Sequence, residues 1–183
     1  MNERQNSVPL ANSSTRRQVI AGLGITLGSL AAGSKAWAKA QQQTMKEIPS
    51  TDANRLRTSL HQEVDFKASP ERIYSAFLDS KQFAGFTGMP AEIDPKAGGV
   101  FTIFGALVGG RTVELIPNQR IVQAWRPAHW DSGVYSIVRF ELKAQGSETK
   151  LVLDHCGFPE GEFDHLDPGW KMRYWEPLRK FLA

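Results

Sequence analysis

From Ala91 to Cys156 the chain offers no window in which a helix could form. Short runs of β-branched, aromatic and alternating residues are cut at close intervals by turn-forming residues: Pro95 to Gly99, Gly109-Gly110, Pro117-Asn118, Pro127 to Gly133, and Gln145-Gly146-Ser147. The spacing predicts strands over Ala91 to Asp94, Val100 to Phe104, Thr112 to Ile116, Ile121 to Arg126, Val134 to Leu142 and Thr149 to His155. Connections this short leave no room for crossover helices, so the strands form an antiparallel meander. Such a sheet has one apolar face to cover. In Val134 to Leu142 that face is Val134, Val138, Phe140 and Leu142, joined by Ser136, with Tyr135, Arg139 and Glu141 opposite. In Thr149 to His155 it holds Leu151 and Leu153, which turns His155 inward.

The flanking segments supply the cover. His61 to Ala68 sets Glu63, Asp65 and Lys67 against Val64 and Phe66, the period of one more half-buried strand. Ser69-Pro70 then reads as an N-cap followed by a first-turn proline, with Ile73, Ala76 and Phe77 on one helical face. A second short helix is expected from Ser80, carrying Phe83 and Phe86 and stopped by Gly88. The chain closes with an amphipathic helix from about Pro168, in which Trp170, Tyr174, Leu178 and Phe181 form a stripe. Pro177 inside it removes one backbone hydrogen bond and predicts a kink or a restart.

The first 38 residues follow a different logic. Arg16-Arg17 stands before an uncharged, glycine-interrupted run from Val19 to Ser34, and Ala36-Trp37-Ala38 supplies the small residues of a cleavage site. The paired arginines mark a twin-arginine signal, the alternative being an ordinary secretory leader that also needs positive charge. The run is too interrupted to make a good bilayer-spanning helix of about 20 residues. Export to the periplasm through the twin-arginine translocase is therefore expected, with no stable membrane span after cleavage. Residues 39 to 58 show no periodicity and read as a flexible tether. The domain then occupies residues 59 to 183.

Charge follows the same division. The chain has 22 Lys and Arg against 19 Asp and Glu, but Arg4, Arg16, Arg17 and Lys35 precede residue 39 with only Glu3 to oppose them. The remainder is balanced, which argues against a nucleic-acid partner. Cys156 is the only cysteine, so no intrachain disulfide is available and the core must hold the fold.

Ala68-Ser69-Pro70-Glu71-Arg72-Ile73-Tyr74, Gly98-Gly99-Val100-Phe101, Glu114 to Val122 and Asp154-His155-Cys156-Gly157-Phe158-Pro159 resemble the START-like, helix-grip superfamily. Within it they resemble the branch homologous to the heat-shock-protein ATPase activator. The resemblance implies an α+β domain: a curved antiparallel sheet of about seven strands wrapped around a long C-terminal helix, with two short helices after the first strand. It also implies a cavity for apolar ligands. One departure is Phe83 to Gly88, where many relatives carry tryptophans.

Trp125, Trp130, Tyr135, Trp170, Tyr174 and Trp175 form a dense aromatic set that either fills the core or lines a cavity. Trp125, Tyr135, His155, Trp170 and Tyr174 are the expected ligand contacts. His155 and Tyr174 are the candidates for proton handling, against a purely structural role. His155, Cys156, Glu160, Glu162, Asp164, His165 and Asp167 resemble a metal cluster in composition alone. Neighbouring strand residues point apart, so a solvated acidic loop is expected and no metal. No phosphate loop or nucleophile elbow is present, and no cofactor is expected. Three functions follow: an exported binder of a small apolar molecule, a cyclase or hydrolase using the same cavity, or an envelope protein-interaction module like the co-chaperone activators.

Overall fold

The computed structural model describes residues 50 to 183; Arg16, Arg17, Ala36 and Ala38 lie outside them. Seven strands form one antiparallel sheet: β1 (Ser59–Phe66), β2 (Glu92–Ile93), β3 (Val100–Ile103), β4 (Val108–Ile116), β5 (Arg120–Pro127), β6 (Ser136–Gln145) and β7 (Glu148–Cys156). Their order is β1-β7-β6-β5-β4-β3-β2, so the meander runs unbroken and β1 closes against β7. Within the segment expected to be a tether, Ser50–Arg55 is a short helix, α1. Asn54 Nδ2 donates to Asp164 Oδ1 at 3.0 Å, and the Arg57 guanidinium lies 3.7 Å from the Phe163 ring centroid.

Local chemistry sets the two helices that follow β1. Helix α2 (Pro70–Leu78) begins at Ser69, whose side chain accepts from the Arg72 amide, and buries Ile73, Ala76 and Phe77. Asp79 ends α2 and caps α3 (Ser80–Thr87) by accepting from the Gln82 amide at 2.8 Å. Gly88 then leaves the helix in the left-handed conformation at φ 69°, as a residue without a Cβ can.

Two expectations about the strands are corrected, the first by close packing. Gly109-Gly110 is not a turn: β4 runs through it, and the β3–β4 reversal lies at Phe104 to Leu107. A Cβ on Gly110 would collide with the Phe101 ring and the Ala124 carbonyl oxygen, so glycine is there to let neighbouring strands approach. The reversal itself uses three successive left-handed residues, Phe104 (φ 55°), Gly105 (φ 64°) and Ala106 (φ 69°). Strand β6 starts at Ser136 instead of Val134, which leaves Tyr135 ahead of the sheet.

The C-terminal helix starts earlier than Pro168. It comprises α4 (Phe163–Trp170), a π turn (Lys171–Trp175) and α5 (Glu176–Leu182). The buried residues explain the arrangement. Phe163, Leu166 and Trp170 follow an i, i+3, i+7 spacing, and so do Trp175, Leu178 and Leu182. The π turn inserts one residue between the two sets, with the Glu176 amide donating to the Lys171 carbonyl, and Pro177 falls in the restarted first turn where its missing N–H matters least. The inserted residue also rotates the last turn, so Leu182 is buried and Phe181, expected inward, is 39% exposed.

The core lies between the sheet and this helix. Trp170 stacks on Trp125 with centroids 5.4 Å apart and meets Phe140 edge-on at 5.6 Å. Gln62, on the inner face of β1, donates to the Asp167 side chain and accepts from the Trp175 indole, tying both halves of the helix to the sheet edge. Among the described residues no helix is long and apolar enough to cross a membrane.

Candidate functional site

A cavity of about 440 Å³ opens between the β3–β4 reversal, the end of β5 and the C-terminal helix. Phe104, Val108, Trp125, Leu166 and Trp170 give it apolar walls. Each is placed by a feature described above. The left-handed turn swings Phe104 inward, Trp125 sits on the inner face of β5, and α4 presents Leu166 and Trp170 one helical turn apart. Gly169 leaves part of the helix wall bare: a Cβ there would meet nothing within 4 Å. His129, His165 and Arg173 border the opening.

Two polar groups belong to this wall. The Trp125 side chain is buried, and its indole N–H has no hydrogen-bond partner. An indole nitrogen can only donate, so its acceptor is either the neighbouring Tyr174 oxygen after a small adjustment or an atom that enters the cavity. The Tyr174 phenol is held well above its ordinary pKa, chiefly by burial, with the Trp125 indole opposing the rise. No hydrogen bond of normal geometry closes between them. Phe77, Phe83 and Phe104 pack edge-on around the Tyr174 ring at 6.1, 5.8 and 5.3 Å, fixing its direction.

His155 faces inward, as the alternation of β7 requires, but it lies behind the cavity. The Trp170 indole N–H donates to His155 Nδ1 at 3.2 Å, so the ring proton resides on Nε2. That nitrogen donates to Ser136 Oγ at 2.7 Å, and the Ser136 hydroxyl donates to the Trp125 carbonyl oxygen at 3.1 Å. Burial lowers the His155 pKa to about 3. His155 is therefore a neutral strut between Trp125 and Trp170, the two stacked tryptophans of the wall.

Of the five expected contacts, the structure brings together Trp125, Trp170 and Tyr174 at the cavity and sets His155 in their support. Tyr135 does not join them: it is half-exposed, ahead of β6. Trp130 and Trp175 fill the core elsewhere. The sequence reading missed Phe104, Val108, Leu166, Gly169 and Arg173. Gly169 carried a signal, since a glycine inside an amphipathic helix marks a missing side chain. The acidic segment after β7 does not converge either. Cys156 is exposed beside inward His155, while Glu162 meets His129 at 3.2 Å. Among the described residues no three His, Cys, Asp or Glu side chains form a metal-sized group.

Comparison with known proteins places this geometry among relatives. Residues 67–183 match the family described as Activator of Hsp90 ATPase homolog 1-like protein. Activator of 90 kDa heat shock protein ATPase homolog 1 of Homo sapiens is 29% identical over 115 residues, covering 63% of this chain and 34% of that protein. The corresponding Dictyostelium discoideum homolog is 31% identical over 108 residues, covering 58% of this chain and 28% of its own length. The chain thus spans about a third of the curated relatives it matches. The crystal structure of an HSP90 activator from Plasmodium falciparum superposes with a TM-score of 0.66 at 26% identity, covering 69% of this chain and 96% of that one. CalU16 from Micromonospora echinospora superposes with a TM-score of 0.59 at 22% identity, over 68% and 76% of the two chains, a likeness of fold alone.

Proposed function

We propose that this chain, which belongs to the Activator of Hsp90 ATPase homolog 1-like family, is an exported START-like module that holds a small apolar molecule between its sheet and its C-terminal helix. The observation that carries this reading is the aromatic cavity of about 440 Å³, within the range of about 300–1,000 Å³ usual for small-molecule sites. Its walls are rigid because the His155 strut and the ring of phenylalanines around Tyr174 fix them before any ligand arrives. Export rests on Arg16-Arg17 and the Ala36-Trp37-Ala38 cleavage pattern. A twin-arginine passenger crosses the membrane folded, so the ligand can be loaded before export. Native mass spectrometry of protein recovered from the cell envelope is expected to show a bound small molecule. An empty protein with no thermal shift across a lipophile panel would overturn the reading.

A cyclase or hydrolase using the cavity has less support. His155 has both ring nitrogens engaged away from the cavity, and Tyr174 is a neutral phenol at physiological pH. The second reading that a specific observation favours is a protein-interaction module, because the curated relatives are named as activators of the 90 kDa heat shock protein ATPase. Crosslinking in intact cells tests it, and repeated recovery of one partner protein would move it ahead of ligand binding.

A further inference from the structure

The cavity's chemistry is not uniformly apolar, and its polar groups are arranged unevenly. Deep in the wall stands a donor without an acceptor, the Trp125 indole N–H. At the opening stands a cation without an anion. Arg173 borders the cavity and forms no ion pair or hydrogen bond among the described residues. Of its neighbours at the rim, His129 is held by Glu162 at 3.2 Å, which engages that acidic charge, and His165 adds a second imidazole beside it. Lys171 on the same helix pairs with Asp167 at 3.1 Å, and Arg179 donates to the Asp65 carbonyl oxygen. Helical spacing sets Arg173 at this edge, one turn on from Gly169, while Tyr174 follows Trp170 inward.

Resting on the reading of this cavity as a ligand site, we infer that its ligand is an amphiphilic carboxylate. The apolar body fills the space between Trp125, Trp170 and Phe104, the carboxylate pairs with the Arg173 guanidinium at the opening, and an acceptor oxygen on the body takes the Trp125 N–H. A neutral hydrocarbon would leave both groups as they are, with the indole donor buried and unmet, a cost that an acceptor-bearing ligand removes. An ammonium ligand would face Arg173 with like charge. A carboxylate can engage a guanidinium through two parallel hydrogen bonds, which also fixes which end of the ligand enters first.

The test is calorimetric titration of the purified protein with 2-naphthoate, 6-hydroxy-2-naphthoate and methyl 2-naphthoate, repeated with decanoate, 10-hydroxydecanoate and methyl decanoate as flexible bodies. The acid is expected to bind about tenfold more tightly than its methyl ester, the effect of one charge-assisted contact. Arg173→Gln, a change at an exposed side chain, should bring the acid and its ester to the same affinity. The hydroxy acid should exceed its parent several-fold in the wild type and lose the advantage in Trp125→Phe. Equal binding of acid and ester in the wild type, or an acid preference that survives Arg173→Gln, overturns the inference while leaving the cavity as a binding site. Failure of every member of both series to bind overturns both.

Discussion

Histidines 155 and 61 stand on adjacent rungs of the β1–β7 ladder, where Leu60 pairs with His155 and His61 with Asp154. One residue of register separates them, and because side chains alternate across a sheet they face opposite ways. His155 enters the core, loses its water, and has its pKa lowered to about 3 by burial. His61 stays exposed and has its pKa raised, chiefly by its 2.7 Å hydrogen bond to Asp154. The difference extends over both faces. The inner face is held by desolvation and packing, with Leu151, Leu153 and His155 all fully buried. The outer face is a lattice of ion pairs, including Arg139 with Asp154 at 2.7 Å and Lys150 with Glu63 at 2.9 Å. Burial makes each inner contact costly to lose, and solvent makes each outer one cheap.

Acid should break the comparison most sharply. A neutral His155 contributes stability that is complete above its unfolded value near 6.5 and is lost progressively as pH falls toward about 3. The loss across that window is on the order of 3–5 kcal/mol. Urea midpoints measured between pH 7 and pH 3.5 should show it, and His155→Phe should flatten the part of the slope it causes. His61 has the opposite sign: its small contribution is complete below its ordinary pKa and fades as pH rises through the raised folded value.

Next comes a matched pair on one strand. Leu153→Ala should cost about 2–5 kcal/mol by chemical denaturation, since the site is fully buried. Asp154→Ala, one residue on and facing solvent, should cost less than about 1 kcal/mol. Gly110→Ala tests the close strand approach, and the collision with the Ala124 carbonyl oxygen and the Phe101 ring should cost about 1–3 kcal/mol or more in thermal denaturation. The smallest effect belongs to the outer lattice: Lys150→Ala should change stability by less than about 0.5 kcal/mol, with the difference vanishing in high salt.

The same contrast explains what could be read from the sequence. Helices α2 and α3 and strands β5 to β7 were legible because their signals are local: Ser69 and Asp79 cap, Gly88 stops, and apolar residues alternate along β6 and β7. Gly109-Gly110 looked like a turn because its cause is tertiary, the Ala124 carbonyl oxygen and the Phe101 ring on the two neighbouring strands. Pro168 looked like a helix start because a proline suits a first turn, yet Phe163 and Leu166 already had a core to bury against. Once the π turn shifted the helical period, the stripe expected at Phe181 moved to Leu182. At the site, Trp125, Trp170 and Tyr174 follow from inward positions on regular elements. Tyr135 does not, because its own alternation with Ser136 had placed it outward. Arg173 follows the same helical spacing, one turn on from Gly169, but a charged residue at the edge of an apolar stripe carries no signal of its own.

Occupancy of the cavity by a small molecule can be tested at Gly169 without disturbing the core. A Cβ there meets nothing within 4 Å, and the position lies within helix α4 on the cavity wall. Gly169→Phe should fill the cavity from the helix while keeping or slightly raising thermal stability, because glycine inside a helix costs about 0.5–1 kcal/mol relative to alanine. Native mass spectrometry of the two proteins, recovered side by side from the cell envelope, should show a bound small molecule on the wild type and none on Gly169→Phe. The same bound mass on both, or none on the wild type, would contradict the account.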